Sequence, residues 1–435
     1  MIRRLLLIVL LISTVWVSSA RATTRLIVRV NGGLPVIQSL CLTLGCTVQY
    51  NLDGTLGQVF LVTSSDLLGP SVNQGLSAST DVADLEPDLL AQSADSTYTI
   101  PPALSDTTPV NYFGSAVADG YVNQRPYQIV RAASAQTTFA LNGTGTAVAV
   151  IDTGIDPNHP VLQSVLVPGY DFTRNQAGEA DETQDLNLSS QPDMSNPQLS
   201  WLSSTLVANL SQSTVAVVDG GGSQTSDFGH GTMVAGVIHL VAPEAKIMPL
   251  KAFRADGTGY TSDILRALYW AVRNNANVVN MSFNLAAYSP EVKNAVDYAA
   301  NNGVICVAAA GNKGQQILVY PAALSNVIGV ASTTNTDQRS SFSNYGQGLV
   351  WVAAPGEGVV TTYPFGTYAA GWGTSFSTPF VSGTAALMLS VGPPCLPSQA
   401  RQAIANAQPL TSDLGNGRLD TYLAVQSWRA AVGMQ

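Results

Sequence analysis

The chain has 435 residues, of which 46% are hydrophobic and only 11% are charged, and its formal net charge at pH 7 is -9. This length and apolar content are sufficient for more than one domain with a sizeable buried core, and they exclude a disordered chain. Nucleic-acid binding is excluded as well, because it requires clustered Lys and Arg, whereas 19 basic residues here face 28 acidic ones.

Residues 1–22 have the pattern of a secretory signal peptide. Two arginines precede an apolar run of 13 residues, 5–17, and the segment ends on ARA, a small-x-small cleavage site. A membrane anchor is the alternative, but a span needs roughly 20 apolar residues. We therefore expect a secreted, extracellular protein that has no membrane contact once the signal peptide is removed.

Residues 23–92 predict a small, separate α+β unit of the β-α-β-β type. RLIVRV is typical of a strand, and the next apolar positions follow helical spacing. Two further strands flank the turn at Asp53 and Gly54, and VADLEPDLL forms a last extended piece.

The four cysteines invite a disulfide interpretation in an exported protein. Cys41 and Cys46 are candidates to pair with each other. Cys306 lies within the apolar stretch VICVAAAG, where we expect a buried free thiol that packs as a small hydrophobic side chain. A bridge between Cys306 and Cys395 is the alternative, and the sequence leaves it open.

Two segments lack a clear period. Residues 93–121 contain IPPALSDTTP and predict a linker. Residues 173–226, approximately, are rich in Asp, Asn, Ser and Gln and predict a long surface insertion.

From Ala147 onward, short apolar runs alternate with segments of helical period. The runs AVAVID, NVVNMSF, VICVAAAG, NVIGVAST and VWVAAPG are typical of strands, and HGTMVAGVIHL, SDILRALYWAVRNN and EVKNAVDYAANNG are typical of helices. Ser262 is a candidate N-cap of the second helix. The alternation predicts an α/β domain whose mainly parallel central sheet is flanked by helices, with its functional residues at the carboxyl ends of the strands.

Three short motifs place polar residues at these strand and helix ends. Asp152 follows a strand in DTGID, His230 opens a helix in GHGTMVAG, and Ser375 precedes a strongly apolar helical run in GTSFSTP. Each residue alone would more often be a turn former or a helix N-cap. The three together, in the order Asp, His, Ser, are hard to explain as independent turns and caps.

These motifs resemble the active-site motifs of the subtilisin-like serine proteases, whose Asp, His, Ser order they share. α/β-Hydrolases have the order Ser, Asp, His and need G-x-S-x-G, which GTSFS does not satisfy. AAGN, which ends at Asn312, resembles the oxyanion-hole motif of the family. Segments such as APEAKIMPLKAF, ADGTGYTSDI and LGNGRLDTYLAV extend the resemblance over about 122–428.

The resemblance implies a catalytic domain over 122–435 that hydrolyses peptide bonds. His230 would take the proton of the attacking Ser375 hydroxyl, and Asp152 would fix the tautomer of the imidazole. The Asn312 side chain and the Ser375 backbone N–H would bind the oxyanion. This chemistry requires no cofactor, and we expect a monomer that acts on polypeptides.

The resemblance also implies which residues contact the substrate. The SLGG strand usual in the family is SFNL here, so both glycines are replaced and we expect a narrower primary pocket. Lys313 follows the oxyanion asparagine, where an acidic or small polar residue is common, and should disfavour Lys or Arg before the cut. The expected substrate-binding residues are Gly257, Thr258, Gly259, Ser282, Phe283, Asn284, Ala309, Ala310, Gly311 and Lys313.

The unit at 23–92 resembles the inhibitor-type propeptide that accompanies these enzymes. This implies a self-processing zymogen whose maturation site lies in or near the 93–121 linker, with the propeptide acting as an intramolecular inhibitor. An unrelated small binding domain is the alternative.

Acidic residues in and beside the insertion are candidate ligands for a structural calcium ion, as the resemblance implies, or they are solvated surface acids. They are Asp171, Glu179, Asp181, Glu182, Asp185 and Asp193.

The sequence thus predicts a secreted serine endopeptidase made as a zymogen. Two other functions stay open at this stage. The first is a catalytically weak relative that acts as a peptide-binding or regulatory module, which is suggested by SFNL in place of the family's SLGG strand. An esterase with the same three residues is the other, although the ADGTGY segment, which resembles the family's substrate-pairing edge, favours extended peptides.

Overall fold

The computed structural model describes residues 23–65, 67–88, 100–178, 180–186, 206–209, 227–285, 287–392 and 396–434. The predicted signal peptide, Glu179, Asp193 and Cys395 lie outside the described residues. No helix within these ranges is long and apolar enough to cross a membrane.

Residues 23–88 form a four-stranded antiparallel sheet with the strand order β2-β3-β1-β4. Its elements in chain order are β1 (Thr23–Val30), α1 (Leu34–Leu44), β2 (Thr47–Asn51), β3 (Val59–Ser65), α2 (Gly69–Ser77) and β4 (Val82–Pro87). The sequence did not predict α2, because its glycines and proline resemble turn signals, yet Val72 and Leu76 bury one face of it. The candidate disulfide between Cys41 and Cys46 is present, and Cys306 is a buried thiol with no disulfide partner among the described residues.

The segment that we predicted as a linker, 93–121, is structured over its described part. After a 3-10 turn at Pro102–Ser105, a hairpin and three short helices follow: β5 (Pro109–Tyr112), β6 (Ser115–Ala118), α3 (Asp119–Val122), α4 (Arg125–Ile129) and α5 (Ala132–Phe139). The hairpin closes through Phe113 and Gly114, which both have positive φ. Strands of four residues are too short to show an alternation in the sequence, which is why this hairpin was not predicted.

The larger unit is built on an eight-stranded sheet in which all neighbours run parallel except the edge strand β9. In spatial order the strands are β15 (Val352–Pro355), β14 (Val327–Thr333), β13 (Ile305–Ala309), β12 (Val278–Met281), β7 (Ala147–Asp152), β11 (Lys246–Lys251), β8 (Gly169–Asp171) and β9 (Gln176–Gly178). A smaller sheet has the order β10 (Leu206–Asn209), β17 (Thr367–Trp372) and β16 (Val359–Tyr363). The mainly parallel α/β architecture predicted from the sequence is confirmed.

Two apolar cores cover the two faces of the central sheet. Along β7, Val148 and Val150 face one core and Ala149 and Ile151 face the other, because successive side chains of a strand point to opposite faces. The first core is shared with α6 (His230–Val241), α9 (Thr374–Leu389), α10 (Pro397–Ile404) and α11 (Thr421–Ala431), and the second with α7 (Thr261–Arg273) and α8 (Pro290–Asn301). The predicted helices and strands of this unit begin and end within two residues of the observed ones.

The small N-terminal sheet docks on α7 and α8. Ile27 and Leu61 join the core of these helices, whereas Leu26 and Val28 face α1 and α2. The alternation along β1 therefore places the sheet between its own two helices and those of the larger unit.

Ser262 is not the N-cap that the sequence predicted. Helix α7 begins one residue earlier, and Tyr260 occupies the cap position without a side-chain cap. Ser262 instead donates to Asp88, through its backbone N–H at 2.7 Å and its Oγ at 2.8 Å. The acceptor at this helix end thus comes from a segment more than 170 residues away, which a local sequence pattern cannot reveal.

Candidate active site

The predicted aspartate and histidine meet at the carboxyl edge of the sheet. Asp152 is the last residue of β7, and His230 is the first of α6, following Gly229 in a left-handed conformation. His230 Nδ1 lies 2.6 Å from Asp152 Oδ1, which also accepts from the Thr153 N–H at 2.8 Å. Because Nδ1 faces a carboxylate it must carry the proton, so Nε2 is left as the basic nitrogen.

The charges around His230 favour its protonated form. Burial alone lowers the pKa of His230, but the adjacent Asp152 carboxylate, together with Asp227 and Glu182, outweighs burial and raises this pKa above its ordinary value. Asp152 and His230 are both only 1% exposed. A buried imidazole that accepts a proton here is stabilised by carboxylates already in place.

Ser375 lies in the first turn of α9, directly after Gly373 and Thr374. Its Oγ donates to the backbone carbonyl of Ser282 at 3.1 Å. Within the part of the chain that the structure describes, no hydrogen bond joins Ser375 to His230, although the His230 ring lies 5.8 Å from that of Phe376. Catalytic hydrogen bonds of uncomplexed sites are often loose, so this geometry does not separate the two residues functionally.

Asn312 follows β13, and its amide is held in one orientation. Asn312 Oδ1 accepts from the Thr374 N–H at 2.9 Å and from Thr374 Oγ at 2.7 Å, and that hydroxyl in turn accepts from the Gly311 N–H at 3.1 Å. Asn312 Nδ2 is buried and has no acceptor among the described residues. The arrangement leaves one buried N–H donor without a partner next to Ser375.

Gly373 keeps the space beside this donor open. A Cβ at Gly373 would lie 3.1 Å from Asn312 Nδ2 and 3.8 Å from the Ser375 nitrogen, so both nitrogens border the same space. The Ser375 N–H belongs to the first turn of α9, where backbone N–H groups have no partner within the helix. Two N–H donors therefore border the same small space.

Nine of the ten residues expected to bind substrate are buried. Ala309 ends β13, Ala310 and Gly311 follow it, and all three are buried. Phe283 packs on Phe253 with ring centroids 5.0 Å apart.

Gly257, Thr258 and Gly259 form a buried turn that Asp256 holds. The Asp256 carboxylate accepts from the Thr258 N–H at 2.8 Å and from its Oγ at 2.7 Å. Lys313, in contrast, is exposed. Whether these residues contact substrate stays a prediction.

Asn284 links the segment after β12 to the end of β13. In the amide orientation that satisfies its neighbours, its Nδ2 donates to the carbonyls of Phe283 at 3.2 Å and Ala309 at 2.9 Å. A side chain thus spans the gap between the two segments where the sequence led us to expect a narrower pocket.

Three acidic residues that we expected on a solvated surface or around calcium are buried instead: Asp171, Glu182 and Asp185. Arg174 donates to Asp171 at 2.8 Å and also to Asp185, and the buried Lys251 ammonium donates to Asp185 at 2.6 Å. The prediction of solvated acids is wrong for these residues, because cations of the chain compensate two of them. Among the described residues, no group of three or more His, Cys, Asp or Glu side chains could hold a metal ion.

Two residues that support the site were not predicted. Thr374 orients Asn312, and Asn344 ties the following loop by accepting from the Lys313 and Gln315 N–H groups, both at 3.1 Å. Thr374 is adjacent to Ser375 in GTSFSTP, so its position was a usable signal, whereas nothing near Asn344 in the sequence indicates its role.

A mainly parallel α/β sheet with a buried Asp–His pair at its carboxyl edge, next to a serine at a helix N-terminus, is the architecture of a serine peptidase. Residues 143–433 match the model of the Subtilase family. The chain belongs to this family, and it is a subtilisin-like serine endopeptidase.

Known relatives support this membership. Thermitase from Thermoactinomyces vulgaris is 33% identical to this chain over 322 residues, which cover 71% of this chain and 98% of thermitase. Subtilisin BL from Lederbergia lenta is 34% identical over 65% of this chain and 90% of its own length. A thermophilic serine proteinase from Bacillus sp. (strain AK1) is 34% identical, and the match spans 62% of that protein.

Proposed function

We propose that the protein is a secreted endopeptidase that cleaves polypeptides through an acyl-enzyme on Ser375, with His230 as the base and Asp152 as its partner, and that it is made as a self-processing zymogen. The observation that carries this proposal is the buried Asn312 Nδ2 beside Ser375, which has no acceptor among the described residues. Leaving such a donor unpaired costs about 1–3 kcal/mol, and an oxyanion that pairs with it during the reaction would account for it.

The reaction follows from what each group can exchange. The Ser375 hydroxyl turns from the Ser282 carbonyl to His230 Nε2, which takes its proton as Oγ bonds to the peptide carbonyl carbon. Negative charge then builds on the carbonyl oxygen, where Asn312 Nδ2 and the Ser375 N–H can donate to it. His230 returns the proton to the leaving amine, and water repeats the sequence to release the acyl group. No cofactor takes part in these steps.

The N-terminal unit has the contacts expected of a propeptide. Besides its apolar face, it contacts the larger unit through an ion pair and a cation–π interaction. Arg29 Nε donates to Glu291 Oε1 at 2.8 Å, and the Arg25 guanidinium lies 3.7 Å from the centre of the Tyr260 ring. Polar contacts of this kind are typical of interfaces that can dissociate, as a propeptide must do after it is cleaved from the enzyme.

The end of this unit lies beside the predicted substrate edge. Asp88 and Arg25 pair with each other at 2.8 Å and contact Ser262 and Tyr260. Tyr260 directly follows the Gly257–Gly259 turn, so the chain leaves the unit close to the segment expected to pair with a peptide. We infer that the residues after Asp88 are the first substrate of the enzyme, and that cleavage occurs in or near 93–121.

We also propose that the primary pocket accepts small or medium side chains. The Asn284 amide can donate to the Phe283 and Ala309 carbonyls, and its side chain occupies more volume than the glycine usual in the family. Lys313 adds a positive charge that disfavours Lys and Arg.

Labelling with a fluorophosphonate tests the nucleophile directly. The purified mature protein should be labelled at Ser375 and should hydrolyse casein, whereas Ser375→Ala should do neither. Ser377→Ala is the matched control, because Ser377 is buried in the same helix and its Oγ has no partner among the described residues, and this variant should keep both labelling and hydrolysis. A folded wild-type protein that neither labels nor cleaves casein would overturn the proposal.

A further inference from the structure

Glu182 is a fully buried carboxylate that the proposed reaction does not use. It begins the short 3-10 helix Glu182–Leu186 and has no solvent exposure. Unlike Asp171 and Asp185, it has no hydrogen bond from a cationic side chain among the described residues. Its partners are instead the two chain segments that hold the predicted aspartate and histidine.

Four donors converge on this carboxylate. Glu182 Oε2 accepts from Thr153 Oγ and from the Gly229 N–H, both at 2.9 Å. Glu182 Oε1 accepts from the Thr232 N–H at 3.1 Å and from Thr232 Oγ. Thr153 directly follows Asp152, while Gly229 and Thr232 lie on either side of His230. One side chain therefore joins the end of β7 to the start of α6.

The two threonine hydroxyls are placed to donate to Glu182. Thr153 Oγ accepts from the Gly231 N–H at 2.9 Å, and Thr232 Oγ accepts from the Asp156 N–H at 2.8 Å. Each hydroxyl then has its proton available for the carboxylate, so all four groups can donate to an ionised Glu182. A protonated Glu182 would have to use one of these hydroxyls as its acceptor and would lose that donor.

The surroundings of Glu182 both oppose and favour its charge. Burial raises the pKa of Glu182 to about 7, while the hydrogen bonds from Thr232 and Thr153 and the charge of Lys251 oppose this rise. The N-terminus of α6 also favours an anion. The four donors favour the carboxylate form of Glu182, which is the form that acts in the active state.

We propose that Glu182 is a positioning residue for the endopeptidase reaction: a buried anion that clamps the Asp152 strand end to the His230 helix start and stabilises the imidazolium formed during catalysis. This inference rests on the proposed function. Glu182 touches neither substrate nor the reacting atoms, and it acts through Thr153, Gly229 and Thr232.

The negative charge of Glu182 determines the direction in which its removal should shift the pH dependence of the reaction. The charged groups that face His230 are Asp152, Asp227 and Glu182, and Lys251 faces Glu182 from β11. Removing the negative charge of Glu182 should lower the pKa of His230. Since the base must be neutral to accept a proton, the acid limb of kcat/KM should then move to lower pH.

The kinetic test compares Glu182→Gln with Asp181→Asn. The control removes a neighbouring charge that, among the described residues, accepts from Thr183 and belongs to no group that could hold a metal ion. Rates are measured per active site, counted by fluorophosphonate titration, so that misfolded molecules do not contribute. Glu182→Gln should lower kcat by about 10- to 100-fold, because one amide oxygen cannot accept from four donors and the base loses its alignment. KM should change less than twofold, and the acid limb should move down. Asp181→Asn should match the wild type.

A second measurement does not depend on turnover. In the full-length Ser375→Ala background, the chain has only three histidines, His159, His230 and His239, so His230 can be followed by NMR with labelled histidine. Adding Glu182→Gln should lower the pH at which His230 titrates. If the wild type proves inactive, the proposed function fails, while this titration still decides the role of the Glu182 charge.

Glu182→Asp covers the case in which Glu182→Gln does not fold. It keeps the charge but shortens the side chain, so kcat per site should fall while the acid limb stays at the wild-type pH. Two results would overturn the inference. The first is that Glu182→Gln has the same kcat per active site and the same acid limb as Asp181→Asn. The second applies if only Glu182→Asp folds, and it is that this variant has the kcat per active site of the wild type.

Discussion

The histidine side and the serine side of the site are built in opposite ways. Around His230, contacts fix the ring: Asp152 holds Nδ1, and Glu182 holds the backbone before and after it. Around Ser375, the contacts leave two groups available to a substrate. The Ser375 hydroxyl donates to the Ser282 backbone carbonyl, from which it can turn away, and Asn312 Nδ2 has no acceptor among the described residues.

This difference matches what each side must do in the proposed reaction. The base has to keep one orientation through both proton transfers, so its contacts are already complete. The oxyanion exists only after substrate arrives, so its donors must be positioned and yet unpaired beforehand. Donors fixed in advance need no reorganisation when the charge forms, which is the physical basis of this kind of stabilisation.

The largest expected effect comes from the histidine side. Asp152→Asn should lower kcat by about 10⁴-fold, because the new amide can present an N–H to Nδ1 and favour the wrong tautomer of His230. Loss of the Asp152 charge should also move the acid limb of kcat/KM to lower pH. Steady-state kinetics as a function of pH measures both, and a loss below tenfold would show that Asp152 does not orient the base.

On the serine side, Asn312→Ala should lower kcat by about 10²–10³-fold with little change in KM, the range established for removing such a donor from subtilisin. The hydrogen bond strengthens only as the oxyanion forms, so ground-state binding should be preserved. A loss that appears wholly in KM would show that Asn312 binds the substrate and not the transition state.

A smaller effect should follow from opening the pocket. Asn284→Gly removes the side chain between the Phe283 and Ala309 carbonyls, so kcat/KM for Phe or Tyr before the cut should rise about tenfold relative to Ala. A library of peptides that differ only at this position measures the change. An unaltered size preference would mean that Asn284 does not limit the pocket.

The smallest expected effect concerns charge. Lys313→Glu should shift the ratio of kcat/KM for acidic over basic residues by less than about tenfold, because an exposed charge contact contributes about 1 kcal/mol or less and is screened by salt. Lys313→Gln separates the loss of the cation from the gain of the anion. An unchanged ratio at low salt in both variants would show that Lys313 points away from the substrate.

The fold could be predicted because its signals are local and periodic. The strand from Ala147 to Asp152 is an apolar run, and α7 carries a helical apolar period, so both were recognised within two residues. Helix α2 was missed because Gly69 and Gly75 resemble turn residues in the sequence, while only the packing of Val72 and Leu76 on the sheet supports a helix.

The motif residues of the site could be predicted, but the residues that support them could not. Asp152, His230 and Ser375 stand in recognisable motifs. Glu182 stands in an acidic stretch typical of a surface loop, and its four donors come from segments 29 to 50 residues away. Ser262 shows the reverse error, because a local cap pattern was predicted where the acceptor comes from Asp88. Long-range hydrogen bonds leave no periodic signal.

The most direct test of the account is mass spectrometry of the expressed protein, wild type beside Ser375→Ala. If Ser375 is the nucleophile of a self-processing zymogen, the wild type should lose everything up to a point between Gln92 and Arg125, and Ser375→Ala should keep the full length that follows signal-peptide removal. Purified Ser375→Ala that matures at the wild-type rate without added protease would contradict it.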